Sequence, residues 1–343
     1  MKLFKGPQGI IALFVLTMLA IAATTGMNIA TLFNQSLVKL VMNGVLVLSL
    51  IPMLNTGVGM NFSLPVGVCG GLLGLCISIN FKWSGAFGFF MAIVFSAIVC
   101  YLLGLVLSII LNRVKGKEEI AGTFIGFSFI PLMNYFWTLV PFQNRQMLYP
   151  IGGRGTRPRI GLGPYFAKIL DDLWVLNIGE IKIPIGLLCF YGLIAFGVYT
   201  LFKSKWGQKM LAVGENEDFA YFSGINVDKT RRGAIILSTI IAGLGICVYS
   251  QSYQFVELYD APLMMAFPAI SAILIGGSTG KKTSIKMAIL GTYLFQSIYL
   301  LSVPLANKLL LPEISEILRM LITNAIILYA LLQNKKGASK KCA

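Results

Sequence analysis

Residues 40–81 contain no Asp, Glu, Lys or Arg, and that run excludes most folds. Soluble domains carry about one charged residue in four, so a charge-free stretch of this length has no solvated face to offer. About 20 apolar residues cross a bilayer as a helix. This run is long enough for two helices, divided near "PMLNTGVG" at 52–59. Further charge-free windows lie at 6–38, 83–112, 120–144, 183–202, 233–256, 261–280, 287–307 and 320–334. The chain as a whole is 57% hydrophobic and 12% charged, with a mean hydropathy of +0.80.

These windows predict an all-α polytopic membrane protein, a single domain over 1–343, with about ten transmembrane helices. The expected spans are 8–26, 37–54, 60–80, 85–111, 119–140, 183–202, 233–253, 262–279, 287–304 and 315–333. The basic N-terminus followed by an apolar run resembles a secretory signal, but an uncleaved first span does the same work in a multipass protein. The six cysteines are scattered, and Cys69, Cys76, Cys100, Cys189 and Cys247 fall in expected spans as small apolar filler. The sequence has no histidine, so neither a histidine metal site nor a histidine triad is expected.

Most of the 28 lysines and arginines fall on segments sharing a side with the N-terminus. These include Lys2, Lys5, Arg113, Lys115, Lys117, the basic residues of 203–232, Lys281, Lys282 and the tail lysines. The positive-inside rule then places both termini in the cytoplasm. The stretch "GGSTGKKTS" at 276–284 looks like a phosphate-binding loop, but residue 275, where its first glycine should stand, is Ile275. Lys281 is followed by Lys282 rather than a hydroxyl. The stretch also follows a hydrophobic helix instead of a strand, so its lysines read as markers of the inner face.

Pumps driven by protons or sodium usually place ionisable groups inside the membrane. Here the central windows hold none, and the path is expected to offer hydroxyls, amides and aromatics without fixed charge. Active transport would then draw on ATP and Mg held by a separate subunit, with no cofactor bound by this chain. Polar and aromatic groups are richest in "MNFSLPVG" at 60–67 and "GTFIGFSFIPLMNYFWTL" at 122–139. Asn61, Phe62, Ser63, Phe127, Asn134 and, further on, Ser271 are candidates for the path. Phe124, Tyr135 and Trp137 are further rings on which a sugar or base could stack, if they do not face lipid.

The longest inner loop, 203–232, carries its own signals. Asn216 can cap a short helix, Glu217 and Asp218 suit that helix's positive end, and Gly224 can close it. This predicts about two turns over 216–223, with Phe219 and Phe222 left unburied by their own chain. An amphipathic loop lying on the membrane surface is the alternative.

The stretch "AVGENEDFAYFSGINVDKTR" at 212–231 resembles the cytoplasmic coupling segment of the ribose-type ABC importer permeases. That family reads A-(V/I)-G-x-N, then a small-residue helix, then S-G-I-N-V-x-(K/R). The resemblance extends to "GVGMNFSLPVG" at 57–67, "IAGLGICVYS" at 241–250 and "PAISAILIGGSTG" at 268–280. Asn61 stands where the family's "GGIDLSVG" carries an acid, and Pro65 where it carries a small polar residue. Branched-chain amino-acid permeases share the "GIN(V/T)D(K/R)" signature and are the nearest alternative.

The resemblance implies two inverted halves, about 37–140 and 233–333, around a path for a sugar or nucleoside. It implies no enzymatic activity in this chain, which would be a transport subunit in a bacterial inner membrane. Its partners would be ABC ATPase subunits, a second permease of the same or related sequence, and an extracytoplasmic substrate-binding protein. Membrane lipid surrounds it, and no nucleic acid is involved. Glu215, Asn216, Glu217, Asp218, Phe219, Ala220, Phe222 and Gly224 would engage the ATPase. The outer segment 141–182 holds Arg145, Arg154, Arg157 and Arg159, a basic platform expected to dock an acidic binding-protein rim or, failing that, anionic headgroups. A stand-alone secondary transporter is the reading from a different class.

Overall fold

The computed structural model describes residues 7–149, 155–278 and 283–309. In chain order the elements are α1 (Pro7–Thr24), α2 (Ile29–Leu48), α3 (Leu50–Asn55), α4 (Leu64–Asn80), α5 (Gly85–Arg113) and α6 (Glu118–Leu139). They continue with β1 (Arg159–Gly161), β2 (Val175–Ile178), β3 (Ile181–Pro184), α7 (Ile185–Lys203), α8 (Lys205–Glu215), α9 (Glu217–Phe222) and α10 (Val227–Tyr253). β4 (Phe255–Glu257), α11 (Ala261–Ile275) and α12 (Ile285–Leu309) complete the described part. Each of the first nine expected spans is helical over most of its described length; the tenth, 315–333, lies outside the described residues.

Among the described residues, six helical segments are long and apolar enough to cross a membrane: Ile29–Asn55, Gly85–Arg113, Glu118–Leu139, Ile185–Lys203, Val227–Tyr253 and Ile285–Ser302. α1, α4 and α11 are apolar but shorter. The bundle is organised around α4, which packs between α5 and α10 and is buried over nearly its whole length. Its glycines allow that approach: a β-carbon at Gly71 would meet the Gly243 oxygen of α10 at 2.5 Å, and one at Gly74 the Ser96 nitrogen of α5 at 2.3 Å. Small residues serve this purpose where lipid gives no hydrophobic drive between helices. α5, α6 and α7 turn Phe87, Phe90, Leu102, Phe124, Leu193 and Phe196 outward, the side chains that lipid solvates.

Two sets of long-range polar contacts lie at opposite ends of the bundle. At one end Asn34 bonds Glu180 and Lys182 backbone groups, Asn80 accepts from the Gln143 N–H, and β1 pairs antiparallel with β4. At the other, Gln8 donates to the Gly276 oxygen, Asn112 to the Asp228 oxygen, and Asn55 exchanges two bonds with the Thr283 backbone. Each of these pairs joins segments that the basic-residue count puts on a common side.

Two boundaries differ from expectation because charge had been used to mark them. α10 starts at Val227, six residues before the expected 233, since the Asn226 side chain accepts from the Lys229 N–H and caps it. Asp228, Lys229, Arg231 and Arg232 are therefore helical. α2 starts at Ile29, capped by Asn28, so Lys39 lies well inside the helix instead of near the outer end of a span beginning at 37. The outer segment also forms the β2–β3 hairpin and β1, short strands that no alternation in the sequence announced.

Candidate functional site

The inner loop folds as two helices. α9 follows the expected signals: the Asn216 oxygen accepts from the Phe219 N–H at 3.0 Å, and Gly224 leaves the helix at φ +78°, a conformation that disfavours side chains. Ala220 is the one side chain of α9 that is buried, packed with Val213 and Val227. Glu215 and Asp218 are exposed. Phe219, Tyr221 and Phe222 project outward, Phe222 at 84% exposure. α9 is thus anchored on one face and offers three rings on the other.

What sequence reasoning missed is beneath it. Arg231, 2% exposed, sits in the first turns of α10 and pairs with Glu217 of α9 and with Glu118 at the start of α6. Its Nε is 3.4 Å from Asn112 Oδ1, near the end of α5. A buried guanidinium is tolerable when carboxylates and hydrogen bonds surround it, and here they come from three other helices. The neighbouring Lys115–Asp228 pair, at 2.6 Å, is exposed on both sides and contributes little. Nothing in the sequence separates Arg231 from Arg232 or Lys229; only the helix phase sets it inward.

α8 is also tightly seated. A β-carbon at Gly214 would lie 2.1 Å from the Asn55 oxygen, so the last turn of α8 rests directly on the break between α3 and α4. Asn55 in turn bonds the Thr283 oxygen at 3.0 Å and the Thr283 N–H at 2.8 Å. Beyond the break, the Met60 N–H donates to Glu119 at 2.9 Å. The inner loop therefore contacts α3, α6 and α10, and through Asn55 the entry to α12.

The path candidates divide. Asn61 is 1% exposed and donates to the Ser238 Oγ at 2.9 Å, Ser63 donates to Asn61, and Ser238 donates to the Ser49 oxygen. This is an internal polar clamp between α3, α4 and α10. Phe62 and Phe127 come together on Phe267 of α11, at ring centroids of 6.4 and 5.7 Å. Ser271 donates to the Phe267 oxygen one turn away. Asn134 is half-buried on α6, apart from these, and its side-chain oxygen has no partner among the described residues. Phe124 and Tyr135 point out of the bundle, while Trp137 is fully buried.

Of the outer arginines, Arg145 is exposed, but Arg157 turns back to the Leu148 oxygen at 2.6 Å and Arg159 pairs with Glu257 at 2.6 Å. Arg154 lies outside the described residues. The platform is less free than its arginine count suggested, because two of the four hold the outer segment together.

A further cavity, of about 260 Å³, opens between α2, α10, α11 and α12. Lys39 and Asn43 reach it from α2, Tyr249 and Tyr253 from α10, and Gln296 and Tyr299 from α12. Lys39 also shares the cavity wall with Arg159 and Glu257, which are paired with each other.

Residues 8–331 match the family described as branched-chain amino acid transport system / permease component. The chain is 24% identical over 237 residues to the nucleoside ABC transporter permease protein NupC of Lactococcus lactis subsp. cremoris, covering 66% of this chain and 72% of that protein. It is 23% identical over 164 residues to the xylose transport system permease protein XylH of Escherichia coli, covering 47% of this chain and 39% of that protein. With apolar helices of spanning length and a match over almost its whole extent, the chain is a multi-pass membrane protein that belongs to this family of transport-system permease components.

Proposed function

We propose that this chain is the membrane-spanning subunit of an ABC importer for a neutral nucleoside or sugar, driven by separate ATPase subunits. The observation that carries the reading is α9, anchored beneath by Ala220 and Glu217 yet presenting Phe219, Tyr221 and Phe222 to solvent. Exposed rings on a rigid, capped helix suit a groove on a partner. When ATP closes the ATPase pair, α9 moves and the permease rocks between outward- and inward-open states. The names of the nucleoside and xylose relatives support the solute class.

In this reading ten spans form two inverted halves, the termini are cytoplasmic, and the protein sits in a bacterial inner membrane beside a second permease. A binding protein delivers solute to the outer face, where Arg145 is the freest of the described arginines expected to meet it. Branched-chain amino acids are the second reading, favoured by the family's own description. Uptake of radiolabelled uridine, D-xylose and L-leucine, in cells with and without this chain, tests both. ATP-dependent uptake of uridine or xylose that disappears with the chain supports the proposal. Uptake confined to leucine supports the second reading, and no dependence on the chain contradicts both.

A further inference from the structure

We infer that the cavity between α2, α10, α11 and α12 is an outward-facing solute site with Lys39 as its specificity-determining residue, and that it takes a nucleoside-like solute. The inference deepens the transport reading above and rests on it. Placement comes first. The cavity borders the end of the bundle where β1 and β4 pair, and the Arg159–Glu257 ion pair that joins those strands stands among its lining residues. A second cavity, of about 460 Å³, also includes Lys39 and Tyr253 and reaches Lys168, Asp171 and Lys182 of the outer segment. Lys39 and Tyr253 thus stand between an outer vestibule and a narrower inner chamber.

The chemistry of the wall selects the ligand. Lys39 is half-buried, and among the described residues no carboxylate lies within 4.0 Å of its ammonium. A partly desolvated ammonium with no carboxylate partner among the described residues favours a ligand with acceptor oxygens. Asn43 donates to the Lys39 carbonyl at 3.1 Å, which leaves its side-chain oxygen as an acceptor. Pro268, inside α11, has no N–H for the carbonyl of Met264 one turn earlier, and both residues line the chamber. Tyr249 and Tyr253 stand 5.5 Å apart at 32° and supply flat faces.

The set therefore offers a cationic donor, two kinds of acceptor and aromatic surface. A nucleoside matches all three, with a planar ring, ring carbonyls for Lys39, and sugar hydroxyls for the amide and backbone oxygens. A pentose uses the polar groups but has no planar ring to stack. An aliphatic amino acid can set its carboxylate on Lys39, but Glu257, the acid on this wall, is already paired with Arg159, and the side chain has no planar ring to stack. The chamber volume, just below the roughly 300–1,000 Å³ of typical ligand pockets, suits one small solute.

The test places a cysteine on the wall of the full transporter in cells. Gln296→Cys, on the same wall and in a Cys189→Ser background, is treated from outside with a membrane-impermeant thiol reagent, with and without uridine, D-xylose or L-leucine. The expected result is labelling that uridine slows at least tenfold, and xylose and leucine less. In parallel, Lys39→Gln should raise the uptake KM for uridine at least tenfold with maximal rate within a factor of two, and Lys39→Arg should restore most of the affinity. No labelling from outside, labelling that no solute slows, or an unchanged KM in Lys39→Gln overturns the site. Import that fails in the unmutated transporter for every solute contradicts the transport reading instead, and labelling still reports whether the cavity opens outward.

Discussion

The guanidinium of Arg231 holds the carboxylate of Glu217 across the gap between two helices, fourteen residues apart in the chain, and the same guanidinium holds Glu118 of α6. In the proposed mechanism a push on α9 would reach α10 and α6 together, without relying on the short 223–226 link. The two ends of this connection differ in kind: Glu118 is nearly buried, whereas Glu217 is 40% exposed.

That difference sets the first prediction. Arg231→Met leaves Glu118 without its partner and should destabilise the permease by about 3–5 kcal/mol, the usual cost of breaking a buried pair from one side. Thermal unfolding in detergent should show a clear drop. Glu217→Gln should cost no more than about 1 kcal/mol, given its exposure, yet lower the solute imported per ATP hydrolysed several-fold. Unchanged coupling in Glu217→Gln, with the ATPase still bound, would remove Arg231 from the transmission.

The surface of α9 gives the second. Phe222→Asp adds a charge at a side chain the chain itself does not bury, so stability should shift by less than about 0.5 kcal/mol. Co-purification of the ATPase should fall at least tenfold. Gly224→Val acts through the backbone: it costs about 1–2 kcal/mol at positive φ and should misplace α9 while leaving the rings present.

Close packing of α8 gives the third. Gly214→Ala would bring a methyl group to 2.1 Å from the Asn55 oxygen, so α8 must lift from the α3–α4 break. Uptake should fall several-fold. Gly197→Ala, with nothing within 4 Å of the added carbon, is the matched control and should transport normally.

The Asn55–Thr283 exchange gives the fourth. Asn55→Ala strands a buried N–H and C=O, at about 1–3 kcal/mol for each group left unsatisfied. A lower unfolding temperature with Asn55→Ala, and a smaller loss with Asn55→Asp, which retains an acceptor for the Thr283 N–H, is the expected pattern.

Much of this was legible in the sequence. Charge-free windows located nine helices among the described residues, and Asn216 and Gly224 announced α9, because capping is local chemistry. The same reasoning misplaced the start of α2. The expected span 37–54 put Lys39 near its outer end, but a long side chain can lie well within a helix when a polar cavity receives its head group. Arg231 was invisible for a related cause: which of three neighbouring basic residues turns inward depends on where Asn226 starts the helix and on Glu118, more than a hundred residues away. The outer arginines were overcounted, since a sequence shows the charges and conceals that Arg157 and Arg159 already have partners.

The most direct test of the central claim is purification of the tagged chain from its own cells in mild detergent, beside the Phe222→Asp variant, with identification of everything retained. The account predicts an ATPase subunit in stoichiometric amount with the unmutated chain and its loss from the variant. An unmutated chain recovered without any ATPase, which then moves uridine or xylose across liposome membranes by itself, would contradict it.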